Sequence, residues 1–207
     1  MSQRIEQVFA YHQRSKHRFE RFSAGPDYLD WATQPNPFRR YPGARLIALE
    51  RTEPGRVSSE LLEWPSPLNA SSVSQLFYDS LALSAWKRAG GATWALRVSP
   101  SSGNLHPTEG YLLCGPVPGL TESPLVGHYA PREHALEVRC EIPLQAWDGL
   151  SAGFPADGIL IGLTSVLWRE AWKYGERSFR YSQLDVGHAI AALSVAAAGL
   201  GWSVILL

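Results

Sequence analysis

Two stretches of the chain hold residues whose types and spacing could do chemistry. The first reads Arg97-Val98-Ser99-Pro100-Ser101-Ser102-Gly103-Asn104-Leu105-His106-Pro107-Thr108-Glu109. Small polar residues, Gly and Pro are set here between two apolar runs. Such a loop brings backbone N–H groups and hydroxyls close to a polar, planar ligand. The Asn104 amide both donates and accepts, which suits the mixed edge of a flavin or nucleobase. An ordinary turn, with Ser and Asn capping their own backbone, satisfies the same composition. The Gly-x4-Gly-Lys pattern of a phosphate loop is absent.

The second stretch holds Lys173-Tyr174, then Arg177, Arg180-Tyr181 and Asp185-Val186-Gly187-His188. A Lys beside a Tyr can lower the phenol's pKa, or have its own lowered by burial, and so move a proton. Flavin oxidation of a C–H bond needs such a group, because proton and hydride leave separately. On charge pattern alone, a solvated face with Lys and Arg stems lying along it is the favoured reading. His188 falls within an apolar helical stretch, three residues after Asp185, where an i, i+3 hydrogen bond would make it a buried structural His. No Ser-His-Asp or paired-carboxylate arrangement stands out. His12, His17, His106, His128, His134 and His188 lack metal-ligand spacing, so no metal is expected.

These residues need elements to carry them. Residues 2–22 read as a polar helix, and residues 23–67, punctuated by seven prolines, as extended and loop-rich, with one short strand at 45–50. A helix begins near Ser71, with Val73, Leu76, Phe77, Leu81 and Leu83 at helical spacing. Gly90-Gly91 breaks the chain before a short apolar run at 94–98. Residues 107–109 read as the opening of a helix or turn that leads into a strand at 111–114. Residues 128–129 and 135–138 form a hairpin around Pro131-Arg132-Glu133. Residues 158–164 read as a buried strand, and 169–180 as helical or irregular. Residues 183–198 are the clearest helix, apolar nearly all round and therefore expected to be central. Residues 202–207 read as a last strand.

Composition sets the outer bounds. The 207 residues are enough for one domain with a core. Hydrophobic residues make up 45% and charged residues 18%, as in a folded globule. Lys plus Arg and Asp plus Glu both number 19, so neither nucleic acid nor an anionic membrane is an expected partner. Most of the eight Trp are expected to fill the core. Cys114 and Cys140 are expected as free, buried thiols, and the N-terminus has no apolar segment of a signal peptide, so the cytoplasm is the expected location. No internal repeat appears, and intermixed helices and strands give an α+β class.

At this point the sequence resembles a family. Pro100 to Asn104 followed by His106-Pro107 resembles the Pro-Ser-(Ser/Ala)-x-Asn-x-(Gln/His)-Pro loop of FMN-dependent nitroreductases. The longer Arg-x-x-Pro-Ser-Ser-Gly-x-x-x-Pro-x-Glu-x-Tyr form matches residues 97–111 and resembles the SagB-type dehydrogenase branch. The resemblance implies that Pro100, Ser101, Ser102 and Asn104 touch FMN. Arg97 is a further contact, or instead a structural partner of Glu109. Residues 173–188 resemble the Lys-Tyr…Arg-x-x-Arg-Tyr…Asp-x-Gly-His stretch of the same branch, whose azoline-oxidising members use the adjacent Lys and Tyr as catalytic pair. The matching residues are Lys173 and Tyr174.

The implied fold is nitroreductase-like: a central mixed or antiparallel sheet flanked by helices, with residues 185–201 as the helix at the family's dimer interface. Residues 1–69 are expected as an N-terminal helix and Pro-rich extension, and residues 70–207 as the nitroreductase-like domain with its C-terminal part missing, as in the first half of a tandem chain. The family's Arg-Arg-Ser-like segment for the FMN phosphate has no counterpart, and Trp64-Pro65-Ser66-Pro67-Leu68-Asn69 stands there. The implied function is hydride transfer through FMN, to or from a small organic or peptide-derived heterocyclic substrate, in a homodimer or pseudo-dimer. The alternatives are a non-catalytic partner module that completes a flavin site on another chain, and a scaffold that grips a flat aromatic molecule without redox chemistry.

Overall fold

The computed structural model describes residues 3–51 and 65–207; Pro54 and Trp64 of the proline-rich stretch lie outside them. Helix α1 (Gln3–Ser15) leads through an extended segment to strand β1 (Leu46–Ala48). Helix α2 (Ala70–Tyr78) follows, then the hairpin β2 (Leu83–Ala89) and β3 (Ala92–Arg97). Strands β4 (Thr108–Cys114), β5 (Leu125–Ala130) and β6 (Ala135–Glu141) precede helix α3 (Leu144–Ser151). Strand β7 (Leu160–Ser165), helix α4 (Leu167–Tyr174) and the long helix α5 (Ser178–Gly199) complete the order.

The main sheet is antiparallel, in the order β1-β6-β5-β4-β7. Its edge strand β1 comes from the proline-rich stretch and pairs Ile47 with Leu136. Helix α2 starts on a capping box: Ser72 N–H donates to the Asn69 side chain at 3.0 Å, and Asn69 N–H donates to Ser72 Oγ at 3.0 Å. Such a cap is worth about 1 kcal/mol. The helix packs Val73 and Phe77 onto the sheet with Leu112, Leu125 and Leu136. Phe77 stacks on Tyr129 with ring centroids 4.6 Å apart. Gly110 on β4 is needed for this approach, because a Cβ there would stand 2.6 Å from Leu81 Cδ1.

A chain of polar contacts runs through the sheet. His128 is fully buried on β5; its Nε2 lies 2.9 Å from Glu109 Oε2 and its Nδ1 2.8 Å from Glu137 Oε2. Arg169 of α4 donates to Glu109 Oε1 at 2.5 Å, and Arg40 Nε donates to Glu137 Oε1 at 2.7 Å. Burial pushes Glu109 upward, but the His128 bond and the Arg97 and Arg169 charges outweigh it and hold the carboxyl below its usual range. Burial likewise pushes Glu137 upward, but the Arg40 bond, the Tyr41 N–H and the His128 bond outweigh it and hold this carboxyl below its usual range too.

Several sequence expectations are corrected. Residues 107–109 open no helix, since β4 begins at Thr108 and pairs it with Ser165 of β7. The helical spacing that starts near Ser71 ends at Tyr78, and Leu83 belongs to β2. Among the described residues, 202–207 pair with no strand, and Ile205, Leu206 and Leu207 are exposed. Helix α5 buries Ala189, Leu193, Ala196 and Ala197 but exposes Leu184 and Val195, so one face is covered rather than all round. None of the described Trp is buried, and Cys140 is exposed while Cys114 is not. Strand β2 and helix α3 have no counterpart in the sequence reading. Among the described residues no helix is long and apolar enough to cross a membrane.

Removing one partner of a buried ion pair strands the others, at a cost of about 3–5 kcal/mol. Glu109→Ala is expected to lower unfolding free energy by about that amount; urea denaturation measures it, and a loss near zero would contradict the buried chain. Because both carboxyls are depressed in the folded state, their stabilisation is present above the ordinary value of 4.5 and is lost as the pH falls below it.

Candidate active site

The loop that follows β3 is held by a carboxylate reaching across from α5. Ser101 Oγ donates to Asp185 Oδ2 at 2.6 Å, and Ser102 N–H donates to Asp185 Oδ1 at 3.1 Å. Ser101 Oγ in turn accepts the His106 N–H at 2.8 Å. Asp185 is 2% exposed, and burial lifts its carboxyl above the usual range despite the two serines. Asn104 and His106 both adopt positive φ, at 59° and 47°, a conformation that non-glycine residues hold only when their surroundings fix it. Asn104 Nδ2 donates to Ala95 O at 2.8 Å, and its Oδ1 faces His106 Nε2 at 2.8 Å. Burial, then the Arg97 and Arg169 charges, lower His106 to about 3, so its ring is neutral and Nε2–H donates to Asn104.

The loop and the Lys-Tyr pair meet at Gly103. This residue is exposed at φ 63°, and a Cβ there would stand 2.6 Å from Tyr174 Oη and 3.0 Å from Lys173 Nζ. Glycine is therefore required twice, for its backbone angle and for the close approach. Tyr174 and Lys173 lie at the end of α4, and Gly175 at φ 53° turns the chain towards α5. The Tyr174 ring packs on Tyr181 at 4.4 Å, with the Arg177 guanidinium 5.4 Å from its centroid. Neither the Tyr174 hydroxyl nor the Lys173 ammonium has a hydrogen-bond partner among the described residues. The Tyr174 phenol is moved up, not down as its lysine neighbour suggested: burial comes first and Glu170 second.

Glu170, one turn before this pair on α4, escaped the sequence reading. It is fully buried, and among the described residues neither carboxyl oxygen has a hydrogen-bond partner. Burial, then the nearby Asp185 charge, push it up to about 8, against the pull of Lys173. The available signal was a lone Glu within a run of aromatic residues, next to Arg169.

The N-terminal segment braces the α4–α5 corner. Tyr11 Oη donates to Glu176 O at 2.9 Å and accepts the Arg180 N–H at 3.0 Å. Arg180 Nη2 donates to His12 O at 2.9 Å. Trp172 Nε1 donates to Thr33 Oγ1 at 3.2 Å, and the Trp31 and Trp172 rings meet edge to face at 5.4 Å.

The sequence-assigned residues divide on this geometry. Ser101, Ser102, Lys173 and Tyr174 share one site around Gly103. Pro100 is exposed beside them. Asn104 uses its amide within the loop. Arg97 is buried, with its Nη2 on Pro37 O at 2.6 Å and its Nη1 on Thr108 O at 3.3 Å. Glu109 takes Arg169 as its ion-pair partner, not Arg97. Burial lowers Arg97 to about 10. His188 is exposed on α5, and Asp185 spends its bonds on the two serines instead.

No family model matches the sequence, and no curated protein matches it. Solved structures do. A candidate nitroreductase from Anabaena variabilis superposes with a TM-score of 0.70 at 30% identity, over 92% of this chain and 38% of that one. A chain of the E. coli microcin synthetase McbBCD complex, solved with truncated pro-MccB17 bound, gives 0.51 at 18% identity, over 97% of this chain and 69% of that one. The protein thus has a nitroreductase-like fold and spans well under half the length of the first relative.

Replacing Asp185 by Ala is expected to cost about 1–3 kcal/mol and to free the loop. Amide exchange at Ser102 should quicken while α5 stays protected. Unchanged protection at Ser102 would show that Asp185 does not hold the loop.

Proposed function

We propose that this chain forms the ring-contacting and proton-handling part of an FMN-dependent oxidoreductase. The carrying observation is the meeting of loop and pair at Gly103, where two side chains whose polar ends have no hydrogen-bond partner among the described residues stand beside a backbone without a Cβ. That arrangement fits a flat, polar ring: the close approach at Gly103 holds the Lys173 and Tyr174 ends beside the loop, where they supply donors at the ring's margin. Bound FMN would supply two-electron acceptance or donation as a hydride. Ser102, Gly103 and exposed Pro100 position the ring edge, while Asp185 fixes the loop. Asn104 and Arg97 support the loop from behind, since their side chains are committed to Ala95, His106, Thr108 and Pro37.

Lys173 and Tyr174 hold and deliver the proton that accompanies the hydride. A phenol held up by burial stays protonated at neutral pH, so Tyr174 begins as donor. The motif around Lys173-Tyr174 supports a heterocycle in a modified peptide as substrate, or another small organic molecule of that shape, in a cytoplasmic enzyme of the SagB-type branch.

A second reading has a specific observation in its favour. Leu184, Gly187, His188, Ala191, Val195 and Ala198 form an exposed, small and largely apolar stripe along α5. Such a stripe suits close packing on another chain. On this reading the chain is a non-catalytic dimerisation or partner module that completes a flavin site on another chain.

The test is an absorption spectrum of the purified chain with added FMN, with size measured by light scattering. A bound-flavin spectrum on a dimer is expected. Tyr174→Phe should then lower turnover by about 10²–10⁴-fold with flavin content retained. Normal turnover in that variant removes Tyr174 from the reaction, and a colourless chain that rejects FMN favours the partner module.

A further inference from the structure

The seam between α4 and α5 contains a polar group that the proposed reaction has not used. Glu170 is 0% exposed, and both of its carboxyl oxygens lack hydrogen-bond partners among the described residues. An ionised carboxylate in that condition carries a desolvation cost that Lys173 offsets only in part, so the group rests as a neutral acid. Its place on the helix matters equally. Lys173 and Tyr174 follow it by three and four residues, which puts all three on one face of α4.

The groups around Glu170 are few. Lys173 and Tyr174 belong to its own helix, whereas Arg169 is turned to Glu109 and His106 O. From α5 comes Asp185, already bonded to Ser101 and Ser102. One step further out, Tyr181 and Arg177 lie against Tyr174, and His188 acts on Asp185. Only Lys173 favours an ionised Glu170, while Asp185 opposes it.

We propose that Glu170 is the proton-holding residue behind Lys173 and Tyr174, a neutral buried acid that exchanges its proton with the pair. When the pair has given a proton to the substrate, one water between Glu170 and the pair relays its replacement: the Glu170 O–H bond breaks, the water passes a proton on, the Lys173 N–H or Tyr174 O–H bond re-forms, and Glu170 becomes a carboxylate. In the opposite direction the carboxylate takes the proton up. Glu170 touches no substrate and acts through the pair. The substrate side of this scheme rests on the function proposed above; the state of Glu170 does not.

The test needs no flavin. Protein labelled with carboxyl-¹³C glutamate is examined by infrared spectroscopy across pH. A protonated-carboxyl C=O band is expected at neutral pH, lost as the pH rises through about 8 and absent from Glu170→Gln. Wild-type protein alone reads this, should the variant misfold. Ultraviolet titration of the phenolate, assigned with Tyr174→Phe, supplies a second readout. Removing the Glu170 charge should move the Tyr174 midpoint down by about one pH unit. No such band at neutral pH, its persistence in the variant, or an unmoved phenol midpoint overturns the proposal. A chain that shows the band yet rejects FMN keeps Glu170 as an acid and refutes the flavin reading alone.

Discussion

Asp185 reaches from α5 to a loop that holds two non-glycine residues at positive φ, and most of the site depends on that contact. Its carboxylate takes the Ser101 hydroxyl and the Ser102 N–H. With those two points fixed, Asn104 and His106 are held at positive φ, and Gly103 is pressed against Lys173 and Tyr174. Each unfavourable backbone angle costs on the order of 1–3 kcal/mol. The loop keeps them because Ser101, Asn104 and His106 are bonded to one another and to Ala95. Pre-organisation of this kind is what a ring-contacting loop requires, since order acquired at binding would weaken binding.

Two rigid supports frame that contact. Behind the loop lies the buried chain from Arg169 through Glu109 and His128 to Glu137 and Arg40, which ties α4 to the sheet. In front, the N-terminal segment clasps the α4–α5 corner through Tyr11, Arg180 and Trp172. The proline-rich stretch therefore serves the site: Pro37 O receives Arg97, and β1 closes one sheet edge. A loop and a helix end, both weak positions by themselves, gain their precision from these neighbours.

The sequence made the site's two halves legible, but not their junction. The 97–109 loop and the 173–174 pair stand out because small polar residues and a Lys-Tyr dipeptide are unusual between apolar runs. The contact at Gly103 spans about seventy residues of chain, and no periodicity encodes such a pairing. Asn104 and Arg97 were read as ligand contacts because their side chains suit that task. Only the fold reveals that Ala95, His106, Thr108 and Pro37 use them first. Glu170 stayed hidden for a related reason: a Glu in a helical stretch looks solvated until burial is known. Residues 202–207 read as a strand because they are apolar and partly β-branched, yet a strand needs a neighbour, and among the described residues they have none.

The account turns on where a flavin ring would sit, and amide mapping by NMR during titration with FMN tests that most directly. The account predicts that the largest perturbations fall at Ser102, Gly103, Lys173 and Tyr174, with smaller ones along the Asp185 turn of α5. Perturbations confined to the arginine-rich surface of α1 and the segment after it, or none at saturating FMN, would contradict it.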